Sequence, residues 1–458
     1  MKHILTAATA LALAACTTAP APVTDGLTPR SYVELTHPDW SRDAVIYEVN
    51  IRQYSEAGTF DAVREDLPRL SELGVDILWL MPIHPIGEVN RKGTLGSYYS
   101  VRDYFGVNPE FGTKEDFRRL VDEAHAQGFH VILDWVANHT AWDHPFATEH
   151  PDWYEKDWNG DFRPTPWWDW SDIIDLDFSQ PGVRRHMSDA MAYWVEEFGV
   201  DGFRADVAGY VPLDFWEGVR ARLDAIRPVF MLAEWETRDL HKHAFDATYW
   251  WEWKDSIQDI AQGKADMGSL YYTYSANESA WPMDAMRMTY TDNHDQNTWD
   301  GLPQDIYGDA YEAAIVLQFT GEGIPLIYSG QECANPNRLE FFEKDPIVWN
   351  CDDPLNALFR DLIQLKTDNP VLHNGAWGAR TTKVENTNPD KVFSFIRRNA
   401  AGNAVLVTAN LSDTPQSFAF TDALPQGDYT TFRTNEAVTI GTETRTLPAW
   451  GWAVHVRP

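Results

Sequence analysis

Gly202-Phe203-Arg204-Ala205-Asp206 follows Trp194-Val195-Glu196-Glu197-Phe198-Gly199-Val200, an amphipathic helix end with its glycine stop. The pentapeptide reads as a short strand that finishes on an acid. Arg204 and Asp206 are two residues apart, so on a strand both side chains leave from one face. A guanidinium beside a carboxyl favours its ionised form. An ionised, positioned Asp is what a covalent nucleophile in glycosyl transfer needs. A structural ion pair at a strand end would have the same sequence. The decision between the two comes from the neighbouring strands.

Alternation of strand and helix extends in both directions from this stretch. Strands are expected at 44–49, 75–81, 130–133, 202–205, 229–233, 246–249, 288–291 and 324–328. Helical periodicity over 61–73 stops at Gly74. A second helix over 113–127 has Thr113 as N-cap and Asp116 at the third position, and stops at Gly128. Eight such units predict an α/β fold, a parallel (β/α)₈ TIM barrel. An open doubly wound sheet fits less well, since no Gly-rich phosphate loop follows the first strand. Residues 140–180 interrupt the rhythm with Pro145, Pro151, Pro164 and Pro166 and with Trp153, Trp158, Trp167, Trp168 and Trp170, and read as a small inserted domain. After Asn369-Pro370 the helices cease. Short apolar runs at 392–396, 404–408, 417–420 and 452–456 predict a C-terminal antiparallel β-sandwich. The expected domains are a barrel over 39–375, with its insertion at about 140–180, and a β domain over 376–458.

In such a barrel the C-terminal strand ends form the active face. Strand three ends on Asp134-Trp135-Val136-Ala137-Asn138-His139, strand four on Asp206, strand five on Glu234-Trp235 and strand seven on Asn293-His294-Asp295. Two Asp and a Glu converging with one Arg and two His describe a retaining glycosidase site: one carboxylate as nucleophile, one carboxylic acid as proton donor. The net charge of −32 argues against nucleic acid, which requires basic patches. The 21 Trp and 18 Tyr suit sugar stacking as well as a core.

These blocks resemble the conserved regions of the α-amylase family of glycoside hydrolases, from about Trp40 to the C-terminus. The resemblance implies Asp206 as nucleophile, Glu234 as general acid/base and Asp295 as transition-state stabiliser. It implies Arg204 orienting Asp206, and His139 and His294 donating to the reacting sugar. Tyr99, in Gly96-Ser97-Tyr98-Tyr99-Ser100, matches the family's stacking tyrosine, and Arg338 corresponds to an arginine that holds the next sugar. The implied substrate is an α-1,4-glucan such as starch or maltodextrin, hydrolysed with retention. A transglycosylase or cyclodextrinase of the same family is the alternative, and a non-catalytic glucan-binding protein a third reading that the intact carboxylates disfavour. The chemistry requires no cofactor. A structural calcium is left open, since Asn138 and Asp177 match two of the family's calcium positions, although Asn138 also reads as a turn residue. The family's Lys-His pair after the nucleophile falls on Gly209 and Tyr210, so Trp235 and the Trp-rich insertion become candidate stacking platforms on the leaving-group side.

Met1-Lys2-His3 and the apolar residues 4–15 read as an export signal. It ends on Leu13-Ala14-Ala15-Cys16, which resembles a bacterial lipobox and implies a lipid anchor at Cys16. Ordinary cleavage after Ala-x-Ala is the other reading. Residues 17–38 read as a Thr/Pro/Ala-rich tether. The expected location is the cell envelope, at the outer membrane of a Gram-negative bacterium. Cys333 and Cys351 are free to pair in an oxidising compartment.

Overall fold

The computed structural model describes residues 31–458. The expected export signal, Cys16 and residues 17–30 lie outside the described residues. The end of the expected tether differs from the expectation, because its residues find partners on the barrel. Val33 is buried, the Arg220 guanidinium donates to the Thr36 carbonyl at 3.4 Å, and His37 Nδ1 lies 2.7 Å from Asp246 Oδ1.

Ten strands precede the C-terminal domain: β1 (Ile46–Val49), β2 (Ile77–Leu80), β3 (His130–Trp135), β4 (His139–Ala141), β5 (Ile173–Asp175), β6 (Gly202–Ala205), β7 (Phe230–Ala233), β8 (Ala247–Tyr249), β9 (Met286–Thr289) and β10 (Ile324–Tyr328). All but β4 and β5 close a parallel barrel in the order β1-β10-β9-β8-β7-β6-β3-β2. The period-two rule sorts each strand. Ile46, Ile77, Trp79, Ile132, Phe230, Leu232, Met286 and Met288 fill the interior. Tyr47, Val131, Phe203, Ala205, Met231 and Ala233 pack outward under the helices. Continuing the inward set by two residues reaches Glu48, Asp134 and Glu234, and on β6 the positions alternating with outward Phe203 and Ala205 are Arg204 and Asp206. Gly202 permits the tight β6–β7 pairing: its φ is +155°, and a Cβ there would lie 1.8 Å from the Phe230 carbonyl oxygen.

Two expectations shift in detail and one holds. The helix over 61–73 divides into Phe60–Glu65 and Leu67–Leu73, because Pro68 cannot donate in the middle of a helix and starts a new one. The Thr113/Asp116 capping box is present as expected. Strand β9 begins two residues early, since Arg287, polar in the sequence, is buried against Trp281 with its guanidinium 3.6 Å from the ring centroid.

In the insertion, β4 and β5 form an antiparallel ribbon. The C-terminal domain comprises β11 (Thr381–Lys383), β12 (Val392–Arg398), β13 (Ala404–Asn410), β14 (Gln416–Phe418), β15 (Gly427–Thr431), β16 (Ala437–Ile440), β17 (Arg445–Leu447) and β18 (Trp452–Arg457). A six-stranded sheet, β11-β12-β13-β18-β15-β16, accompanies the pair β14-β17. Val392, Ile396 and Leu406 meet Phe418 and Leu447, while Phe393, Phe395, Val405 and Val407 join the core under the barrel helices. Burial on both faces explains why β12 and β13 read as continuous apolar runs. The short strands β11, β15, β16 and β17 are additions to the expected set. Cys333 and Cys351 are disulfide-bonded. Among the described residues, no helix is long and apolar enough to cross a membrane.

Candidate active site

Arg204 joins three strand ends. Its side chain is 1% exposed. Nη1 donates to Asp134 Oδ1 at 2.9 Å and to Asp206 Oδ1 at 3.0 Å, and Nη2 lies 3.0 Å from Glu234 Oε1. Trp79 Nε1 and the Tyr99 hydroxyl each donate to Asp134 Oδ2 at 3.1 Å, so Asp134 supports the site from within. Glu234 has a second anchor: the Val207 N–H donates to its Oε2 at 2.7 Å. That N–H is aimed by an unusual backbone, with φ +36° and ψ +48° at Val207. A β-branched residue in the left-handed region costs about 1–3 kcal/mol and persists where surrounding structure imposes it.

The electrostatics follow from burial. Burial, then the neighbouring Glu234 carboxylate, raises Asp206, while Arg204 opposes the rise. Burial likewise raises Glu234 against the pull of Arg204. Burial thus pushes both carboxyls toward the protonated form while the shared guanidinium favours the ionised one, the opposition that a site with one acid and one nucleophile uses. Burial disfavours the cation at His294, but the Asp295 and Glu48 carboxylates outweigh it and raise the imidazole to about 9. His294 Nδ1 donates to Glu48 Oε1 at 2.5 Å, and Nε2 lies 2.8 Å from the Tyr99 hydroxyl. His139 is the opposite case: burial lowers it to about 4 and keeps it neutral.

A cavity of about 490 Å³ opens over this floor, lined by Tyr99, His139, Asp206, Glu234, His294 and Asp295 among others. Trp168, Trp170, Trp299, Phe341 and Phe342 add aromatic faces. The structure thus brings together Asp206, Glu234, Asp295, Tyr99, His139, Arg204 and His294. Two expected residues lie elsewhere. Arg338 donates to the Thr298 and Trp299 carbonyls, both at 2.8 Å, and so props the cavity wall instead of lining it. Trp235 packs on Gly209, where a Cβ would lie 2.1 Å from its indole, and edge-on to Tyr210. Glycine at 209 is what admits that ring. Glu48 is a site residue absent from the sequence expectation. Its signal was a lone carboxyl in the apolar run Ile46-Tyr47-Glu48-Val49.

The residues present do not fit the calcium site left open above. Asp177 turns away from Asn138 and accepts from the Ser179 N–H at 2.8 Å and Gln180 Nε2 at 3.0 Å. Asn138 meets Asp175 instead: its amide donates to Oδ1 at 3.1 Å, and the Thr165 hydroxyl donates to the same oxygen at 2.5 Å. The sequence reading named Asp177, whereas Asp175, two residues earlier, is the acid beside Asn138. Arg163 attracts Asp175 electrostatically and pairs with Glu155 at 3.5 Å. A side-chain cation therefore stands among the oxygens. Among the described residues, no cluster of three or more His, Cys, Asp or Glu is set to hold a metal ion.

Comparison with known proteins agrees with this geometry. The family pattern "Alpha amylase, catalytic domain" matches residues 29–369. The chain is 31% identical over 407 residues to alpha-amylase MalA of Haloarcula japonica, covering 85% of this chain and 58% of that one. It is 30% identical to the alpha-1,4-glucan:maltose-1-phosphate maltosyltransferase of Pseudomonas aeruginosa, over 77% of this chain and 56% of that one. The chain thus spans little more than half the length of these two relatives. Among solved structures, an alpha-amylase from Lactobacillus plantarum superposes with a TM-score of 0.81 at 33% identity, covering 92% of this chain and all of that one. The noncanonic maltogenic alpha-amylase AmyB of Thermotoga neapolitana gives a TM-score of 0.82 at 29% identity, over 90% and 98% of the two chains. With three carboxylates on the barrel's active face and this match across its length, the chain belongs to the α-amylase family of glycoside hydrolases.

Proposed function

We propose that the protein hydrolyses α-1,4-glucosidic bonds of starch, maltodextrins or maltooligosaccharides with retention of anomeric configuration. In this reading Asp206 Oδ attacks the anomeric carbon while Glu234 protonates the departing glycosidic oxygen. A covalent glycosyl–Asp206 ester forms, and the shortened glucan leaves. Glu234, now ionised, takes a proton from water; that water cleaves the ester and restores both carboxyls. Cationic His294, neutral His139 and Asp295 bind hydroxyls of the sugar as positive charge develops at its ring. The observation that carries the reading is Arg204, whose two terminal nitrogens hold Asp206 and Glu234 at 3.0 Å each at the floor of one cavity. The test is NMR of the first product released from maltopentaose. The α-anomer is expected, and the β-anomer would reject the double displacement.

Transfer to a second sugar uses the same ester, and the maltosyltransferase relative supports that alternative. Products longer than the substrate at high maltotriose concentration would establish it. We also infer export and lipid anchoring at Cys16, a reading that the Cys333–Cys351 disulfide supports, since such bonds persist in oxidising compartments. Cys16→Ser should release the protein from membranes.

A further inference from the structure

Three segments meet along one arc of the active cavity: the loop after β2, the insertion and the loop after β10. Lys92, Asp169, Asp172 and Phe342 line the cavity together with Asp206. The loop after β2 is tied to the insertion at two depths. Buried Ser100 donates from its hydroxyl to the Asp172 carbonyl at 3.0 Å. Nearer solvent, the Lys92 ammonium donates to the Asp169 carbonyl and lies 3.6 Å from Asp169 Oδ1 and 3.9 Å from Asp172 Oδ1. The same loop is tied to the loop after β10, again at two depths. The buried Arg52 guanidinium donates to the Gly96, Phe341 and Leu95 carbonyls at 2.9, 3.2 and 3.3 Å. Nearer solvent, the Thr94 N–H donates to Glu343 Oε1 at 2.8 Å and its hydroxyl to Oε2, while the Leu95 N–H donates to the Phe342 carbonyl at 3.0 Å. Between these ties Gly93 turns with φ +62° against Phe342, where a Cβ would lie 2.5 Å from the phenylalanine Cβ.

A glucan cut in its middle must enter the cleft at one end and leave at the other. Along this arc the walls are joined instead of parted. A cavity of about 490 Å³ also has the size of a small-ligand pocket, not of a groove that crosses the barrel face. Glu234 and Asp295 border a further opening beside Trp251, which none of Lys92, Thr94 and Phe342 reaches. The proton donor stands on the side from which the leaving sugar departs, so the closed arc faces the other end of the chain. We propose that Lys92-Gly93-Thr94-Leu95 is a strap that closes the cleft behind the sugar under attack, that the enzyme takes α-glucans by their non-reducing ends and releases short saccharides from that end, and that Lys92 and Thr94 determine this specificity. The inference rests on the α-glucan reading above and adds to it where along the chain cleavage falls.

The test compares two substrates in the full chain, maltoheptaose and a maltoheptaose whose non-reducing glucose is blocked at O4 and O6 by a cyclic acetal. Wild type should cleave the free substrate at least about a hundredfold faster in kcat/KM, since a closed wall excludes the added group. Lys92→Ala unties the strap from the insertion, and Glu343→Ala unties it from the opposite wall. Either variant should lower the free-to-blocked ratio about tenfold. The ratio is taken within one preparation, so a loss of folded protein does not move it. Similar wild-type rates on the two substrates, or an unchanged ratio in both variants, would overturn the strap. A wild type that cleaves neither substrate would instead overturn the α-glucan reading, and this assignment with it. Thermal melts of each variant verify the fold.

Discussion

Asp134, Asp206 and Glu234 meet one guanidinium at 2.9–3.0 Å, and that guanidinium is 1% exposed. The inserted segment over the same cavity presents Trp158 at 92% and Trp167 at 103% exposure. The floor is a buried charge network in which each member is held by others. The rim is a set of aromatic surfaces held by few contacts. Removing one member of a buried ionic cluster leaves an uncompensated charge, at about 3–5 kcal/mol. A change at an exposed surface usually stays within about 0.5 kcal/mol. The two regions should therefore respond to mutation on different scales.

The largest effect belongs to the floor. Glu234→Gln should lose about 10²–10⁴ in kcat on maltooligosaccharides. It should regain much of this on an aryl glycoside whose leaving group needs no proton. Asp206→Asn should be as inactive on both, and recovery of Asp206→Asn on the aryl substrate would remove it from the nucleophile's role.

Next comes His294, whose cation is part of the floor. Its folded value, about 9, stands above the ordinary 6.5. A raised value stabilises the fold fully below the unfolded value, and the contribution is lost as pH rises through the folded one. The unfolding free energy of wild type should exceed that of His294→Gln by about 3 kcal/mol below pH 6.5. The gap should close above pH 9, as measured by urea titration at several pH values. A gap independent of pH would show that His294 acts through packing alone.

At the junction of floor and rim, Arg163 sharpens the comparison. Chelation with EDTA should leave the melting temperature unchanged. Arg163→Met should cost only about 0.5–1 kcal/mol, because its side chain is 38% exposed. A marked fall in melting temperature on chelation would show that a metal, and not this side chain, ties the insertion down. The smallest effect is expected at the rim itself. Trp158→Ser and Trp167→Ser should each shift the unfolding free energy by less than about 0.5 kcal/mol, and a larger loss would make the rim part of the core.

The same contrast sets what the sequence revealed. Gly202 to Asp206 and Leu232 to Glu234 were legible because period two places an acid at each strand's inward end, and strand ends are where a barrel works. Glu48 obeys the same period, but a carboxyl inside an apolar strand also reads as a sheet edge; only closure of the barrel brings it to His294. Arg287 hid the start of β9 because its burial depends on its stack against Trp281 and its pairing with Glu236, the latter distant along the chain. Arg338 and Trp235 carried the right residue types in the right order, yet their directions depend on local packing that spacing does not encode. The small strands of the C-terminal domain are three to five residues long and partly exposed, and so carry little pattern.

Val207 bears on laboratory evolution. A library selected for heat resistance should enrich glycine or asparagine there, since either relieves a left-handed β-branched backbone. The enriched clones would carry a more mobile peptide at the N–H that pins Glu234, and with it a proton donor that wanders from the scissile oxygen. Selection for survival and selection for turnover would then pull this one position in opposite directions, and a screen that scores both should return valine.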